Sequence, residues 1–257
     1  MKRILSALLL IPLILYTVIW AHPLFLLAVV AAVSLVCYYE YAGIVAGYGI
    51  PKPGPLGYAA GLALLAIPGQ ESIVVVVVTL LGLTLAMSTP DLAKGLPRAA
   101  ALVLGVIYIF GCWRYAIPLR AASPHWLLFA LVLNWVGDTA AYYVGRSLGR
   151  HKLAPRVSPG KTWEGAAASL AAARGFGVLY LGRFVPGVSW VEALAISALA
   201  SVAGQVGDLA ESAIKRGAGV KDSSALLPGH GGWLDRVDGT LFTLPVVHWC
   251  MVVFGKG

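Results

Sequence analysis

Charged residues are scarce in this chain of 257 residues: only 12% of its positions are Asp, Glu, Lys or Arg, while 59% are hydrophobic. Soluble domains carry roughly twice this share of charge, which excludes a soluble globular protein. Apolar runs near twenty residues recur, and each is long enough to cross a hydrocarbon core about 30 Å thick. Because runs such as SIVVVVVTLLGLTLAM do not alternate with polar residues, a β-barrel is also excluded. The predicted fold class is an all-α polytopic integral membrane protein.

Cysteine is also rare. Cys37, Cys112 and Cys250 lie in or beside apolar runs and have no C-x-x-C spacing, so we interpret them as small hydrophobic core residues rather than metal or redox groups. No A-x-A cleavage site follows the N-terminal apolar run, which is therefore predicted to be the first transmembrane helix. No shift in composition marks a soluble domain. We expect residues 1–257 to form one membrane domain. The sequence of the helices in 1–112 says little about function, and the catalytic helices and cytoplasmic loops are expected in 125–257.

Nine segments are predicted to span the membrane, at residues 4–20, 24–46, 56–67, 72–88, 97–112, 125–145, 163–183, 190–210 and 238–254. With the N-terminus inside, most Lys and Arg residues fall on the cytoplasmic side, most densely in 146–162 and 211–236. The positive-inside rule therefore predicts a cytoplasmic N-terminus and an odd number of spans. Attraction to anionic lipid headgroups is an alternative explanation of the basic loop 146–162.

Acidic residues are fewer than basic ones. Most of the eleven fall at or near the cytoplasmic ends of the last four predicted spans: Asp138, Glu164, Asp208, Glu211, Asp222, Asp235 and Asp238. Asp138 and Asp208 lie where a carboxylate costs roughly 3 kcal/mol or more unless it is paired or faces water. They therefore indicate a functional site, with a buried ion pair to a basic residue as the structural alternative. Glu40 lies within the second predicted span beside three tyrosines, and we expect it near a membrane interface.

Several motifs for handling nucleotides or activating a nucleophile are missing. The chain has no Walker A motif and no G-x-G-x-x-G motif, which excludes a P-loop site. It also has no Ser-His-Asp or Cys-His arrangement that would activate a nucleophile. The chain offers carboxylates, cations and glycines instead of these motifs. On a continuous helix, Asp208, Glu211, Ser212 and Lys215 share one face, and the stretches KRGAGVK and PGHGGW let a backbone approach a phosphate closely. This combination predicts binding of Mg²⁺ and nucleotide phosphates.

The stretch SAIKRGAGVKDSSALLPGHGGWLDRVD, residues 212–238, closely resembles the signature of the phosphatidate cytidylyltransferases, also called CDP-diacylglycerol synthases. Its Ser, Lys-Arg, Lys-Asp, His-Gly-Gly and Asp-Arg-x-Asp elements match at the family's spacing. Two further stretches, GDTAAYYVGR (137–146) and SPGKTWEG (158–165), resemble other motifs of that family. Trp233 and Gly239 depart from the usual pattern, but neither occupies a charged position. The resemblance covers the C-terminal half, and the first five spans match only as apolar helices.

The resemblance implies that CTP and phosphatidate react to give CDP-diacylglycerol and pyrophosphate, with Mg²⁺ and, as an option, a second cation such as K⁺. It favours Asp208 and Asp235 as metal ligands, then Asp238 and Asp138. The expected catalytic residues are Asp208, Lys215, Asp235, Arg236 and Asp238. The expected substrate-binding residues are Ser158, Lys161, Thr162, Glu164, Ser212, Arg216, Lys221, Asp222, His230, Gly231 and Gly232. His230 has two open interpretations, a neutral cap on a glycine turn or a contact to pyrophosphate.

The expected partners are CTP, phosphatidate from the bilayer, membrane lipids and a second copy in a homodimer, with no nucleic acid. The expected location is the cell membrane, with a multi-pass topology and an active site facing the cytoplasm. A CTP-dependent lipid kinase acting on a polyprenol such as dolichol is the alternative function. An ion-coupled transporter is a weaker alternative, since the sequence shows no inverted repeats and no broken midplane helices.

Overall fold

The computed structural model describes residues 2–226, 229 and 231–256, with side chains from residue 11 onward. Helices dominate it: α1 (Lys2–Ile19), α2 (Pro23–Gly47), α3 (Pro55–Ala66), α4 (Glu71–Met87), α5 (Gly95–Gly105), α6 (Cys112–Arg114), α7 (Ala116–Ala122), α8 (Pro124–Leu148), α9 (Trp163–Phe184), α10 (Trp190–Gly217) and α11 (Leu234–Val253). A 3₁₀ turn, Leu92–Lys94, precedes α5, and a π-helical segment, Val106–Gly111, joins α5 to α6. Each of the nine predicted spans therefore contains helix.

Four helical segments of the described chain are long and apolar enough to cross a membrane: Pro23–Gly47, Leu92–Ala122, Pro124–Leu148 and Trp190–Gly217. The chain is thus a largely helical membrane protein, while the count of nine spans and the orientation of the N-terminus stay predictions. The helical run that contains the fifth predicted span continues beyond residue 112 to Ala122. Helix α3 has 12 residues and is roughly 18 Å long, which is shorter than the hydrocarbon core.

The chain divides into two compact units. The first comprises Met1–Ala7, His22–Arg114 and Ile214–Arg236, and the second comprises Leu8–Ala21, Tyr115–Ala213 and Val237–Gly257. In the first unit, Tyr38 and Phe110 are fully buried, with ring centroids 5.5 Å apart. Arg114 in the long helical run donates to the carbonyl of Leu64 at 2.7 Å and pairs with Glu71. That pairing satisfies the guanidinium within an otherwise apolar helical run.

The second unit is built around α8 and α9, whose facing residues include Phe129 and Phe176 with stacked rings. A small polar network lies among its apolar side chains. Thr243 of α11 donates to the Asn134 side-chain oxygen at 3.1 Å, and Asn134 of α8 donates to the carbonyl of Ala130 at 3.2 Å. Buried polar groups must be hydrogen-bonded to be tolerated, so this network fixes how α8 and α11 meet.

Two short strands interrupt the helices: β1 (Lys152–Ala154) and β2 (Ser158–Thr162), paired antiparallel. They lie in the segment 146–162, which the sequence predicted to be a loop, so the all-α prediction is corrected to nearly all-α. A reverse turn closes the hairpin, since the Val157 N–H donates to the carbonyl of Ala154 at 3.2 Å. Pro155 occupies the second position of this turn, where proline fits the required backbone angle.

Candidate active site

A cavity of about 720 Å³ opens in the second unit among α8, α9, α10 and the hairpin. Its polar lining combines carboxylates, cations, hydroxyls and an amide: Asp138, Tyr142, Arg146, Lys152, Ser158, Lys161, Thr162, Ser169, Gln205 and Asp208. Five of the residues predicted from sequence therefore line one cavity: Asp138, Ser158, Lys161, Thr162 and Asp208. Opposite charges around a water-accessible space suit a polyanionic ligand that arrives with a divalent cation.

The hairpin brings two cations to this cavity, Lys152 on β1 and Lys161 on β2. Lys152 pairs with Thr162 and Ala154 pairs with Ser158 in the strand register, with an irregularity between them. Strand β2 ends at Thr162 and α9 begins at the next residue. The Thr162 hydroxyl caps α9 by accepting from the Gly165 N–H at 3.1 Å, and Thr162 is buried. Lys161 is thus held between a paired strand and a helix start.

Lys161 and Asp208 form an ion pair at the cavity wall, with Nζ 2.6 Å from Oδ2. Ser212 lies one helical turn beyond Asp208, with its hydroxyl 3.4 Å from Oδ1, as expected for neighbours on one face of α10. The two charged side chains keep 28% and 35% of their exposure. A partly exposed pair contributes about 1 kcal/mol or less. Lys161 can therefore exchange this carboxylate for a phosphate oxygen at low cost.

Glu164 lies in the first turn of α9, and its partner is His151 at the base of the hairpin. The His151 ring Nδ1 lies 2.6 Å from Oε1, and the His151 backbone N–H donates to the same carboxylate at 3.2 Å. The resemblance led us to expect Glu164 among the substrate-binding residues, and no role was expected for its partner His151. The pair joins the chain before β1 to the start of α9 and so closes the hairpin at its base.

The first unit holds a second polar cluster around what we call the glycine-rich segment, residues 222–235. Asp235 at the start of α11 pairs with Lys215, and only 7% and 9% of these side chains remain exposed. Asp235 also accepts from the Ser223 N–H at 3.0 Å, the Ser223 hydroxyl at 3.0 Å and the Gly232 N–H at 2.7 Å. Burial works to raise the pKa of Asp235, but these donors outweigh it and hold the pKa below its usual value.

Glu40 of α2 also binds this segment, and the sequence analysis missed it as a site residue. Its carboxylate accepts from both Ser223 and Ser224 and from the backbone N–H groups of Trp233 and Leu234. One signal in the sequence could have pointed to it. A carboxylate within a long apolar run is costly unless it has dedicated donors.

Gly231 and Gly232 are required by close approach. Gly231 has a positive φ of 75°, and a Cβ there would lie 2.7 Å from Asp235 Oδ2. A Cβ on Gly232 would lie 2.0 Å from the Ser223 hydroxyl and 2.6 Å from both carboxylate oxygens of Glu40. Carboxylates of this protein therefore lie beside both glycines, and approach of their backbone to a phosphate stays a prediction.

The remaining predicted residues are distributed around these two clusters. The side chains of Arg216, Lys221, Asp222 and Arg236 are exposed in the first unit. Asp238 belongs to the second unit, and its Oδ1 accepts from the Gly239 N–H at 2.7 Å. His230 lies outside the described residues, so both interpretations of it stay open. Within the described chain, no three His, Cys, Asp or Glu side chains converge as a ready metal site.

The fold and the cavity define a helical membrane protein with an acidic and basic pocket suited to phosphates. The chain belongs to the cytidylyltransferase family, whose family model matches residues 1–254. Among curated proteins it is similar to the phosphatidate cytidylyltransferase of Bacillus subtilis (strain 168), at 41% identity over 157 residues, which is 60% of this chain and 58% of that protein.

Two staphylococcal proteins are similar to nearly the same extent. The phosphatidate cytidylyltransferase of Staphylococcus saprophyticus is 38% identical over 154 residues, covering 60% of this chain and 59% of that protein. That of Staphylococcus aureus (strain COL) is 38% identical over 156 residues, with the same coverage of 60% and 59%. The chain therefore spans a little under three fifths of the length of the curated relatives it matches.

Proposed function

We propose that this chain transfers the cytidylyl group of CTP to phosphatidate, giving CDP-diacylglycerol and pyrophosphate. Family membership and the names of the similar phosphatidate cytidylyltransferases support the reaction class. The observation that carries the proposal is the cavity of the second unit, which Asp138 lines together with the paired Lys161 and Asp208. Such a cavity can hold triphosphate oxygens and a cation at the same time.

The chemistry asks little of the protein beyond position and charge. A phosphate oxygen of phosphatidate bonds to the α-phosphorus of CTP, and the bond from that phosphorus to the bridging oxygen breaks. Pyrophosphate leaves with the electron pair of that bond. Because the attacking oxygen is already anionic, no strong general base is needed. Lys161 and Lys152 line the cavity and would hold the phosphates in line while neutralising the charge that develops on the leaving group.

The cavity also fits Mg²⁺. This ion is usually held by one or two carboxylates together with substrate phosphates and water, rather than by a full protein cage. Asp138 and Asp208 would provide those carboxylates, and Mg²⁺ would supply Lewis-acid stabilisation of the phosphates. Asp235 and Asp238 stay predicted ligands, including for a second cation such as K⁺. For Asp235 that role requires giving up part of its present hydrogen bonding to Ser223 and Gly232.

A labelling experiment tests this function against the kinase alternative. Purified protein is incubated with Mg²⁺, either phosphatidate or a polyprenol such as dolichol, and CTP carrying the label on either the α- or the γ-phosphate. We expect label in the lipid from α-labelled CTP only, because cytidylyl transfer keeps the α-phosphate and releases the other two. Label in lipid from γ-labelled CTP, with dolichol or another polyprenol as acceptor, would support the kinase instead.

We further propose a multi-pass arrangement in the cell membrane with the hairpin on the cytoplasmic side. The basic residues of 146–162 support this orientation, and CTP would reach the cavity from the cytosol while phosphatidate enters from the bilayer. The homodimer stays an expectation drawn from the resemblance.

The orientation predicts the labelling of single cysteines in intact cells. Lys152→Cys lies in the hairpin and should resist a membrane-impermeant thiol reagent until the cells are opened. Ser189→Cys is the matched control, since Ser189 is exposed in the connection between α9 and α10 on the predicted outer side. It should react in intact cells. Reaction of Lys152→Cys from outside, with Ser189→Cys protected, would reverse the orientation.

A further inference from the structure

Glu40 is a buried carboxylate in an unfavourable place. It lies in α2, one of the segments apolar enough to cross a membrane, and it is only 1% exposed. Removing an ionised carboxylate from water is expensive unless it is fully hydrogen-bonded. The groups that donate to it therefore reveal what the carboxylate holds in place.

Four uncharged donors converge on this carboxylate. The Ser224 hydroxyl lies 2.5 Å from Oε1 and the Ser223 hydroxyl 3.0 Å from Oε2. The backbone N–H groups of Trp233 and Leu234 donate at 3.0 and 2.7 Å. The two serines stand near the start of the glycine-rich segment, and the two amides stand near its end. Glu40 thus ties both ends of the segment to α2.

The same contacts place Glu40 at the beginning of a helix. Leu234 is the first residue of α11, and the first N–H groups of a helix have no partner within it. A negative charge is favourable there because the amides point at it and the helix dipole is positive at that end. Glu40, a residue of α2, therefore caps the N-terminus of α11. The amide that it binds at Leu234 directly precedes Asp235 in the chain.

Ser223 links Glu40 to Asp235. Its hydroxyl lies 3.0 Å from Glu40 Oε2 and 3.0 Å from Asp235 Oδ2. A hydroxyl has one hydrogen to donate, so it can serve only one of the two carboxylates at a time. The Ser223 backbone N–H and the Lys215 ammonium complete the partners of Asp235 Oδ1. A change at Glu40 is therefore transmitted directly to Asp235.

We propose that Glu40 is a positioning residue for nucleotide use: it holds the glycine-rich segment and, through Ser223, the carboxylate of Asp235. The inference rests on the proposed cytidylyl transfer and extends it to a residue more than 180 positions away in sequence from the serines it binds. Glu40 does not touch substrate in this role. Its effect falls on the use of CTP, because the segment that it fixes carries Asp222, Gly231 and Gly232, which are expected to bind substrate.

Glu40→Gln tests the proposal with little change in volume. The amide keeps one acceptor oxygen and turns an NH₂ group toward donors, so about half of the hydrogen bonds are lost. We expect the KM for CTP to rise roughly tenfold, in line with the loss of hydrogen bonds to a charged group, while the KM for phosphatidate changes by less than about twofold. Hydrogen exchange at the Trp233 and Leu234 amides, measured by mass spectrometry, should become faster.

Glu192→Gln is the matched control. Glu192 caps α10 through Ser189 and pairs with Lys256, so it makes hydrogen bonds of the same kind without lining the cavity or binding the glycine-rich segment. It should leave both KM values and the exchange at Trp233 unchanged. Ser224→Ala provides a milder second variant that removes one donor, and combining it with Glu40→Gln should add little to the effect of Glu40→Gln alone.

The outcomes separate the two proposals. If wild type and Glu192→Gln both fail to transfer α-label, cytidylyl transfer is wrong, and the exchange measurement still decides whether Glu40 holds the segment. Unchanged exchange and an unchanged KM for CTP in Glu40→Gln would overturn the inference. If Glu40→Gln does not fold, Ser224→Ala decides: wild-type exchange and KM for CTP in that variant would also overturn it.

Discussion

Asp208→Asn is expected to lower kcat by about a thousandfold while the protein remains folded. Loss of a carboxylate that holds a catalytic cation removes several kcal/mol of stabilisation from the transition state, and each 1.36 kcal/mol is a factor of ten in rate. Asn is nearly the same size, and Asp208 is partly exposed at the cavity wall, so the cost to folding should be small. The measurement is single-turnover transfer of α-label at saturating CTP, with thermal unfolding in detergent as the folding check.

Asp91→Asn makes the same chemical change at a site without the proposed role. Asp91 caps the 3₁₀ turn by accepting from the Ala93 N–H at 3.1 Å, and Asn caps equally well. This control should keep wild-type kcat and stability.

A second readout asks whether Asp208 serves a metal or only its partner Lys161. Titration with Mn²⁺ followed by electron paramagnetic resonance should show weaker binding in Asp208→Asn than in Asp91→Asn. Near-normal turnover in Asp208→Asn at saturating Mg²⁺ would remove Asp208 from the metal site. Normal Mn²⁺ binding combined with low turnover would assign the loss to Lys161, whose 2.6 Å partner has gone.

Gly232→Ala is expected to produce the largest loss within the glycine-rich segment. The added methyl group would lie within 2.6 Å of both Glu40 oxygens and 2.0 Å from the Ser223 hydroxyl. Overpacking of this kind typically costs about 1–3 kcal/mol. Because the groups that must move are those that hold Asp235, we expect a lower unfolding temperature and a rise in the KM for CTP together.

Gly231→Ala and Gly229→Ala form a matched pair that separates backbone strain from crowding. Both glycines have a positive φ, 75° and 78°, so alanine at either position pays the left-handed penalty of about 1–2 kcal/mol. In the described chain, only the methyl group at 231 would also meet Asp235, at 2.7 Å, while nothing lies within 4 Å at 229. Gly231→Ala should therefore raise the KM for CTP and Gly229→Ala should not. Equal effects would show that backbone conformation alone explains these glycines.

The helices were predictable because their signal is local and long. Apolar runs such as 24–46 and 125–145, bounded by proline or glycine, place α2 and α8 within a few residues of their observed ends. The hairpin was not predictable in the same way. Its strands have three and five residues, too few for an alternating pattern to emerge among Lys152, Pro159 and Lys161. Their pairing depends on a turn that only the fold reveals.

The candidate site shows the same difference between features with a local sequence signal and features that depend on long-range contacts. Lys161 was predicted from the motif resemblance and Asp208 from its costly place in an apolar stretch, and their pairing is visible only once the hairpin lies against α10. The resemblance favoured Asp208 and Asp235 as metal ligands, and that role stays a prediction. The structure places them in different compact units, each with its own lysine partner. Glu40 was not predicted as a site residue because its partners lie far along the chain. Its costly place in an apolar run indicated that it needs donors but not which groups supply them.

The junction at Thr162 has a consequence for the energetics of binding. A cation on a loose loop would lose much of its backbone freedom when a phosphate arrives, and that entropy would be subtracted from the affinity. No spacer residue separates β2 from α9, and Thr162 is both the last residue of the strand and the cap of the helix. The backbone at Lys161 therefore loses its conformational entropy during folding rather than on binding. The position of the ammonium is therefore preorganised before any nucleotide arrives, and only the flexible methylene chain of Lys161 remains to be ordered on binding.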